Sequence, residues 1–145
     1  MLKTILIIVF VLALIGLGGF AYLGQKSKSG TAPGMVNGTL APCPDSPNCV
    51  SSEPGTVSDK QVDVLPIDAW DALPGIVEAM GGRVTTQGED YIAAEFTSAT
   101  FGFVDDLELR KANEAVHVRS ASRVGYSDAG ANAKRVAELR ERLAE

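Results

Sequence analysis

The densest run of chemically capable side chains is Arg119-Ser120-Ala121-Ser122-Arg123-Val124-Gly125-Tyr126-Ser127-Asp128, preceded along the chain by Phe101-Gly102-Phe103-Val104-Asp105-Asp106. Two guanidinium groups, three hydroxyls, a phenol and three carboxylates lie within reach of one strand end. Such a set could form an anion pocket, with Arg119 and Arg123 forking onto a carboxylate or phosphate and Ser120 or Ser122 adding donors. The competing reading is an internal network in which Asp105 and Asp106 satisfy the arginines and fix the corner from strand to helix, with Tyr126 and Asp128 nearby. Cys43 and Cys49 are the other reactive pair and enclose Pro-Asp-Ser-Pro-Asn. In an exported domain the expectation is a disulfide that staples this loop. A redox-active dithiol, which usually shows C-x-x-C spacing, and a metal pair are the alternatives.

Catalytic signatures are sparse. His117 lies mid-strand with no nucleophile arranged beside it in a triad order, and Gly125-Tyr126-Ser127-Asp128-Ala129-Gly130 is one residue too long for a nucleophile elbow. There is no P-loop, no GxGxxG and no CxxCH. Asp105 and Asp106 are adjacent, so a strand would send them to opposite faces, against a paired-carboxylate site. Two cysteines and one histidine are too few for a closed structural zinc site, and no cofactor is expected. Phe101 and Phe103 share a face and read as sheet core or lip.

The elements that must position these residues follow from hydropathy and alternation. Thr4 to Leu23 is an uncharged apolar run that spans about 30 Å as a helix, the thickness of a bilayer core. It reads as an uncleaved single-pass anchor over residues 1–24, being longer than a typical signal-peptide core and lacking a clear small-x-small cleavage site. Flanking charge barely orients it, with Lys3 on one side and Lys26 and Lys28 on the other. Residues 25–40 are rich in Lys, Ser, Gly and Pro and read as a flexible tether. A single domain is expected over 41–145.

Within that domain, Gln61 to Leu65 alternates as a strand ended by Pro66, and Asp68 is placed to cap a helix. Trp70, Leu73, Val77 and Met80 form its apolar stripe and Gly81-Gly82 its stop, with Pro74 demanding a kink or a first turn that is not α. Arg83–Thr86 and Tyr91–Phe96 read as one hairpin. Residues 104–110 and 115–121 read as a second, turning at Ala112-Asn113. With Lys111 opposite Glu114, this register sets Leu109 against Val116, Glu108 against His117, Leu107 against Val118 and Asp106 against Arg119. Asp128 or Asn132 then caps a last helix carrying Val136, Leu139 and Leu143, with Glu138 and Arg142 at i, i+4. The fold class is α+β: one transmembrane helix, then a small antiparallel sheet of 3–5 strands with two helices on one face.

From residue 29 onward there are 10 basic and 18 acidic side chains, a net charge of −8. That balance disfavours a nucleic-acid partner, which calls for a basic face.

Three blocks carry a resemblance to a known family: Cys43-Pro44-Asp45-Ser46-Pro47-Asn48-Cys49-Val50-Ser51-Ser52; Ala94-Glu95-Phe96-Thr97-Ser98 with Phe101 to Asp106; and His117 to Asp128. In this order they closely resemble the domain-of-unknown-function family numbered 1499, over about residues 40–145. The resemblance implies a small α+β domain, often behind an export signal or membrane anchor in bacteria, and assigns no reaction. Ala129 departs from it, since a larger apolar residue is expected after Tyr-Ser-Asp, and Pro74 is a second candidate departure.

The sequence as a whole points to a membrane-tethered, exported accessory or binding module with a membrane-protein partner. Its domain is expected on the periplasmic side of the inner membrane. Asp105, Asp106, Arg119, Ser120, Ser122, Arg123, Tyr126 and Asp128 are its candidate interaction or anion site. A binder of, or enzyme on, an anionic lipid or metabolite is the alternative.

Overall fold

The computed structural model describes residues 1–144. Helix α1 (Leu2–Ser27) is followed by a two-stranded ribbon of β1 (Met35–Val36) and β2 (Thr39–Leu40). The main sheet holds β3 (Cys49–Ser51), β4 (Leu65–Pro66), β5 (Arg83–Gln87), β6 (Tyr91–Thr97), β7 (Val104–Lys111) and β8 (Ala115–Ser122). Its order is β3-β8-β7-β6-β5, with β4 also paired to β8, and every named pairing is antiparallel. Between β4 and β5 lie a 3-10 turn (Ile67–Ala69) and α2 (Leu73–Ala79); α3 (Ala131–Leu143) closes the described chain.

The class is α+β, but the sheet has six strands where three to five were expected. The additional strand is β3, a piece of three residues too short to show alternation, which shares the open edge of β8 with the two-residue β4. The strand expected over Gln61 to Leu65 shrinks accordingly to Leu65–Pro66, with Gln61 reduced to a bridge to Ser51. Asp68 caps no helix. It sits in the 3-10 turn, which makes no side-chain cap bond, and α2 begins at Leu73. Pro74 thereby falls in the first turn of α2, where its missing N–H leaves no bond unmade, and Gly81 ends the helix at φ +86°.

The β7–β8 hairpin forms with a register two residues away from expectation. Ala112 and Ala115 flank a loop of Asn113 and Glu114, so Leu109 pairs with Val118, Glu108 with Arg119 and Arg110 with His117. A slip of two preserves which face each side chain occupies, so the pattern of apolar residues is indifferent to it. Local charge matching disfavours Arg110 beside His117. Glu53, a carboxylate distant in sequence, compensates both: it accepts from Arg110 Nε at 2.7 Å and approaches His117 Nδ1 at 3.6 Å.

The pleat sorts the sheet into two chemically different faces. On one lie Val50, Ile92, Ala94, Leu107, Leu109, Val116 and Val118, which form a single core with Leu65, Trp70, Leu73, Val77, Val136 and Leu139. On the other lie Tyr91, Glu95, Asp106, Glu108, Arg110, His117 and Arg119.

The stretch 25–40, read from composition as a tether, lies against that charged face. The Gly34 amide donates to Glu108 Oε1 at 2.8 Å, the Leu40 amide donates to Glu53 Oε1 at 2.9 Å, and the Leu40 side chain is buried. Helix α1 also continues past its apolar run into the domain. Ser27 Oγ accepts the Val104 amide at 3.0 Å, Arg123 Nη1 donates to the Ser27 carbonyl at 3.2 Å, and Gly24 passes so close that a Cβ would stand 1.9 Å from the Phe101 carbonyl oxygen. Phe20 packs on Phe101 and Phe103 with ring centroids 5.4 and 6.4 Å away. Composition read these residues as linker because small and polar residues serve both a free coil and a close backbone contact.

Cys43 and Cys49 form a disulfide with Cα atoms 5.7 Å apart. A ring this small restrains the unfolded chain modestly, so Cys43→Ser with Cys49→Ser is expected to lower stability by about 2 kcal/mol. Urea unfolding of the full chain in detergent checks this, and a change near zero would mean that the loop holds its shape without the bridge.

Candidate functional site

The eight candidate residues do not form one site. Alternation along β7 and β8 sends Asp105, Ser120 and Ser122 to the face that bears the apolar core and Asp106 and Arg119 to the opposite face, with Arg123 just past β8 joining Asp106. Tyr126 stands on the connecting loop, 75% exposed.

On the first face the organising residue is Asn132, fully buried in the first turn of α3. Its Oδ1 accepts from Ser120 Oγ at 2.6 Å and from Arg135 Nη1 at 2.5 Å, and its Nδ2 donates to Ser122 Oγ, the Asn48 carbonyl and Asp128 Oδ2. Arg135 bridges onward to Asp105 at 2.8 Å and lies over the Phe96 ring at 4.5 Å. Asp128 accepts the Gly130 amide at 3.0 Å and the Asn132 amide at 2.8 Å, capping free N–H groups at the start of α3. Burial pushes the Asp128 carboxyl up, but these amide donors and the Asn132 side chain outweigh it and hold it below the usual aspartate range.

The opposite face carries three groups of ion pairs. Glu108, with no exposed surface, receives Arg119 Nη1 at 2.7 Å, the Tyr91 hydroxyl at 2.7 Å and the Gly34 amide. Arg123 grips Asp106 through Nε at 2.8 Å and Nη2 at 2.6 Å and shares Nη2 with Glu95 at 2.6 Å; Glu95 also meets Arg83. Glu53 and Arg110 form a two-pronged pair at 2.7 and 2.8 Å. Burial, then the hydrogen bond to Glu108, push the Tyr91 hydroxyl well above its ordinary range. The hydrogen bond to Asp106 raises Arg123 further. For Glu53 and Glu95, burial is the largest influence and pushes upward. Hydrogen bonds from Arg110 and from Arg123, respectively, with the neighbouring positive charges, outweigh it and leave both carboxyls below the ordinary value.

The cysteine loop joins the two strand motifs. The Asn48 carbonyl accepts the Ser122 amide at 3.0 Å, and Asn48 Nδ2 donates to the Gly125 carbonyl at 2.9 Å, so the stapled loop is bonded directly to the β8–α3 corner. Lys60 holds the other side of the loop by donating to the Pro44 and Asp45 carbonyls.

Both guanidinium groups proposed to fork onto an anion are thus already engaged by carboxylates and largely withdrawn from water. Among the described residues no three of His, Cys, Asp and Glu converge as metal ligands. Arg119 Nε is, among the described residues, a buried donor without a hydrogen-bond partner. Sequence reasoning missed Glu53, Glu108, Asn132 and Arg135 as centres of these networks. Asn132 carried the only local signal, as an alternative cap; the partners of Glu53 and Glu108 lie across strands or in distant loops, and Arg135 joins its helix neighbour Asn132 to Ser120 and Asp105 on the sheet.

A family model described as a protein of unknown function, DUF1499, matches residues 39–143, which include the cysteine loop, every strand of the main sheet and α3. The chain belongs to the DUF1499 family. No curated protein and no solved structure matches it significantly. The DUF1499 blocks seen in the sequence are therefore the segments that meet at the β8–α3 corner and beside α1.

Two predictions follow from the ion pairs. Arg119→Met leaves the Glu108 carboxylate buried without its cation and is expected to cost about 3 kcal/mol or more, whereas adding Glu108→Gln recovers part of the loss. Denaturant unfolding of the single and double variants reads this directly. The second concerns acid. A carboxylate held below its ordinary value binds fewer protons folded than unfolded, so its contribution is full above that value, about 4.5 for Glu53 and Glu95, and is lost as pH falls through the lower folded one. Stability measured against pH is expected to fall below about 4.5, with a shallower fall in Glu53→Gln.

Proposed function

We propose that this chain is a membrane-seated accessory module whose domain is a rigid extension of a retained single-pass anchor and binds a component within or at the membrane. The observation that carries this reading is the junction itself. Gly24 and Ser27, beyond the apolar run, are buried against the domain, Gly24 in close approach to the Phe101 backbone and Ser27 bonded to Val104 and Arg123. A leader destined for removal has no need of such contacts. Helix α1 is long and apolar enough to cross a membrane.

The disulfide supports placement outside the cytoplasm, on the periplasmic side of an inner membrane, because such bonds persist in oxidising compartments. With α2 and α3 over the apolar face and the N-terminal segment over the charged one, the sheet is covered on both sides. The end beside α1 is then the part of the domain nearest the bilayer. The anionic-ligand alternative loses its proposed anchors, because Arg119 and Arg123 are committed to Glu108, Asp106 and Glu95. The site reading that remains is an interaction surface around exposed Tyr126.

Gly24→Leu tests this, since its side chain would collide with the Phe101 carbonyl and loosen the domain from α1 while leaving both intact. After mild detergent extraction, the wild-type chain is expected to migrate with a stoichiometric membrane-protein companion that Gly24→Leu loses. Migration alone, or a companion indifferent to this substitution, would overturn the reading.

A further inference from the structure

Between the last turns of α1 and the β8–α3 corner lies a half-open cavity of about 530 Å³. Phe20 and Leu23 form one wall; Phe103, Val104, Val124 and Ala131 line the others. The first wall belongs to the apolar run itself, so the cavity is continuous with whatever surrounds that run. If the hydrocarbon core begins near Thr4, Leu23 lies at its far boundary and Phe20 about 4.5 Å deeper. The cavity therefore opens sideways at the junction of hydrocarbon and headgroups. Its volume is that of a small-molecule site, and its lining is chiefly apolar. Tyr126, exposed at the rim, supplies the amphipathic ring that favours this depth, and the Phe20–Phe101–Phe103 cluster adds apolar surface beside it.

We infer that this cavity takes an acyl chain of a phospholipid from the adjoining leaflet. Polar groups at its edge fit a lipid's ester region and exclude an anionic head. Ser98 Oγ accepts the Phe103 amide and Ser122 Oγ accepts Asn132 Nδ2, which leaves each hydroxyl proton free to donate to an ester oxygen. Asp105 and Asp128 also line the cavity. Arg135 offsets Asp105, but Asp128 is met only by amide donors, so a neutral or zwitterionic lipid suits the site better than an acidic one. The inference rests on α1 being a retained anchor.

Full-length protein in phosphatidylcholine nanodiscs, doped with phosphatidylcholine carrying a diazirine at mid-chain, tests it. In an ordinary bilayer lipid the mid-chain carbon lies well below the interface and out of reach of the domain, so only a chain drawn into the cavity labels it. Adducts are expected on peptides spanning 98–105 and 122–131 as well as on α1. Val124→Trp and Ala131→Leu, which fill the cavity from two walls, are expected to reduce the domain adducts severalfold without changing those on α1. Should Val124→Trp lose cooperative unfolding, Ala131→Leu alone decides. Adducts on α1 without adducts on the domain, or domain adducts that both fillings leave unchanged, would overturn the lipid site while leaving the anchor in place. Absence of adducts on α1 would remove the anchor reading and the lipid site with it.

Discussion

Glu108 sits in the middle strand pair of the sheet with none of its surface in contact with water, and removing a carboxylate from solvent costs several kcal/mol unless its oxygens are fully engaged. Arg119, Tyr91 and the Gly34 amide supply that engagement from three separate parts of the chain. Much of the architecture follows from this requirement. The β7–β8 register must bring Arg119 opposite Glu108, β6 must bring Tyr91 within reach, and the segment after α1 must cross the sheet to deliver a backbone N–H. The same segment continues to Leu40, whose amide meets Glu53, and Glu53 in turn neutralises Arg110 beside His117.

A small sheet with an apolar face and a charged face must cover both. Aliphatic side chains from α2 and α3 share the core of the first. The second cannot be covered by an apolar helix without stranding its charges, so it takes a polar segment rich in backbone donors. This explains why glycine, serine and threonine between residues 29 and 40 belong to the folded unit rather than to a spacer. It also ties the domain to α1, because a chain committed to the charged face has little slack left between Ser27 and Gly34.

The β8–α3 corner solves a related problem with neutral groups. Asn132 uses its amide to bind Ser120, Ser122, Asn48 and Asp128, so the disulfide loop, the end of β8 and the start of α3 meet at one buried side chain. Gly130 enters the helix at φ +79° and Ala129 precedes it at φ +52°, a conformation that alanine seldom adopts. The small side chain at Ala129 leaves room in the cavity beside it.

Period and composition alone determined the elements whose signals are local: the apolar helix, the two hairpins, the stripe of Trp70, Leu73 and Val77, the last helix, and the cysteine pair. They also separated the apolar strand face from the charged one, because alternation survives any even slip of register. Tertiary structure decided the rest. The register of β7 against β8 depended on Glu53, more than fifty residues away in sequence, and two edge strands were too short to have a period. The eight candidate residues looked like one site because they are close in sequence, yet a strand sends neighbours to opposite faces, so Asp105 and Asp106 joined different networks. Whether a guanidinium is free to bind an anion depends on which carboxylates the fold brings to it, and that is a property of distances between segments, which sequence spacing does not contain.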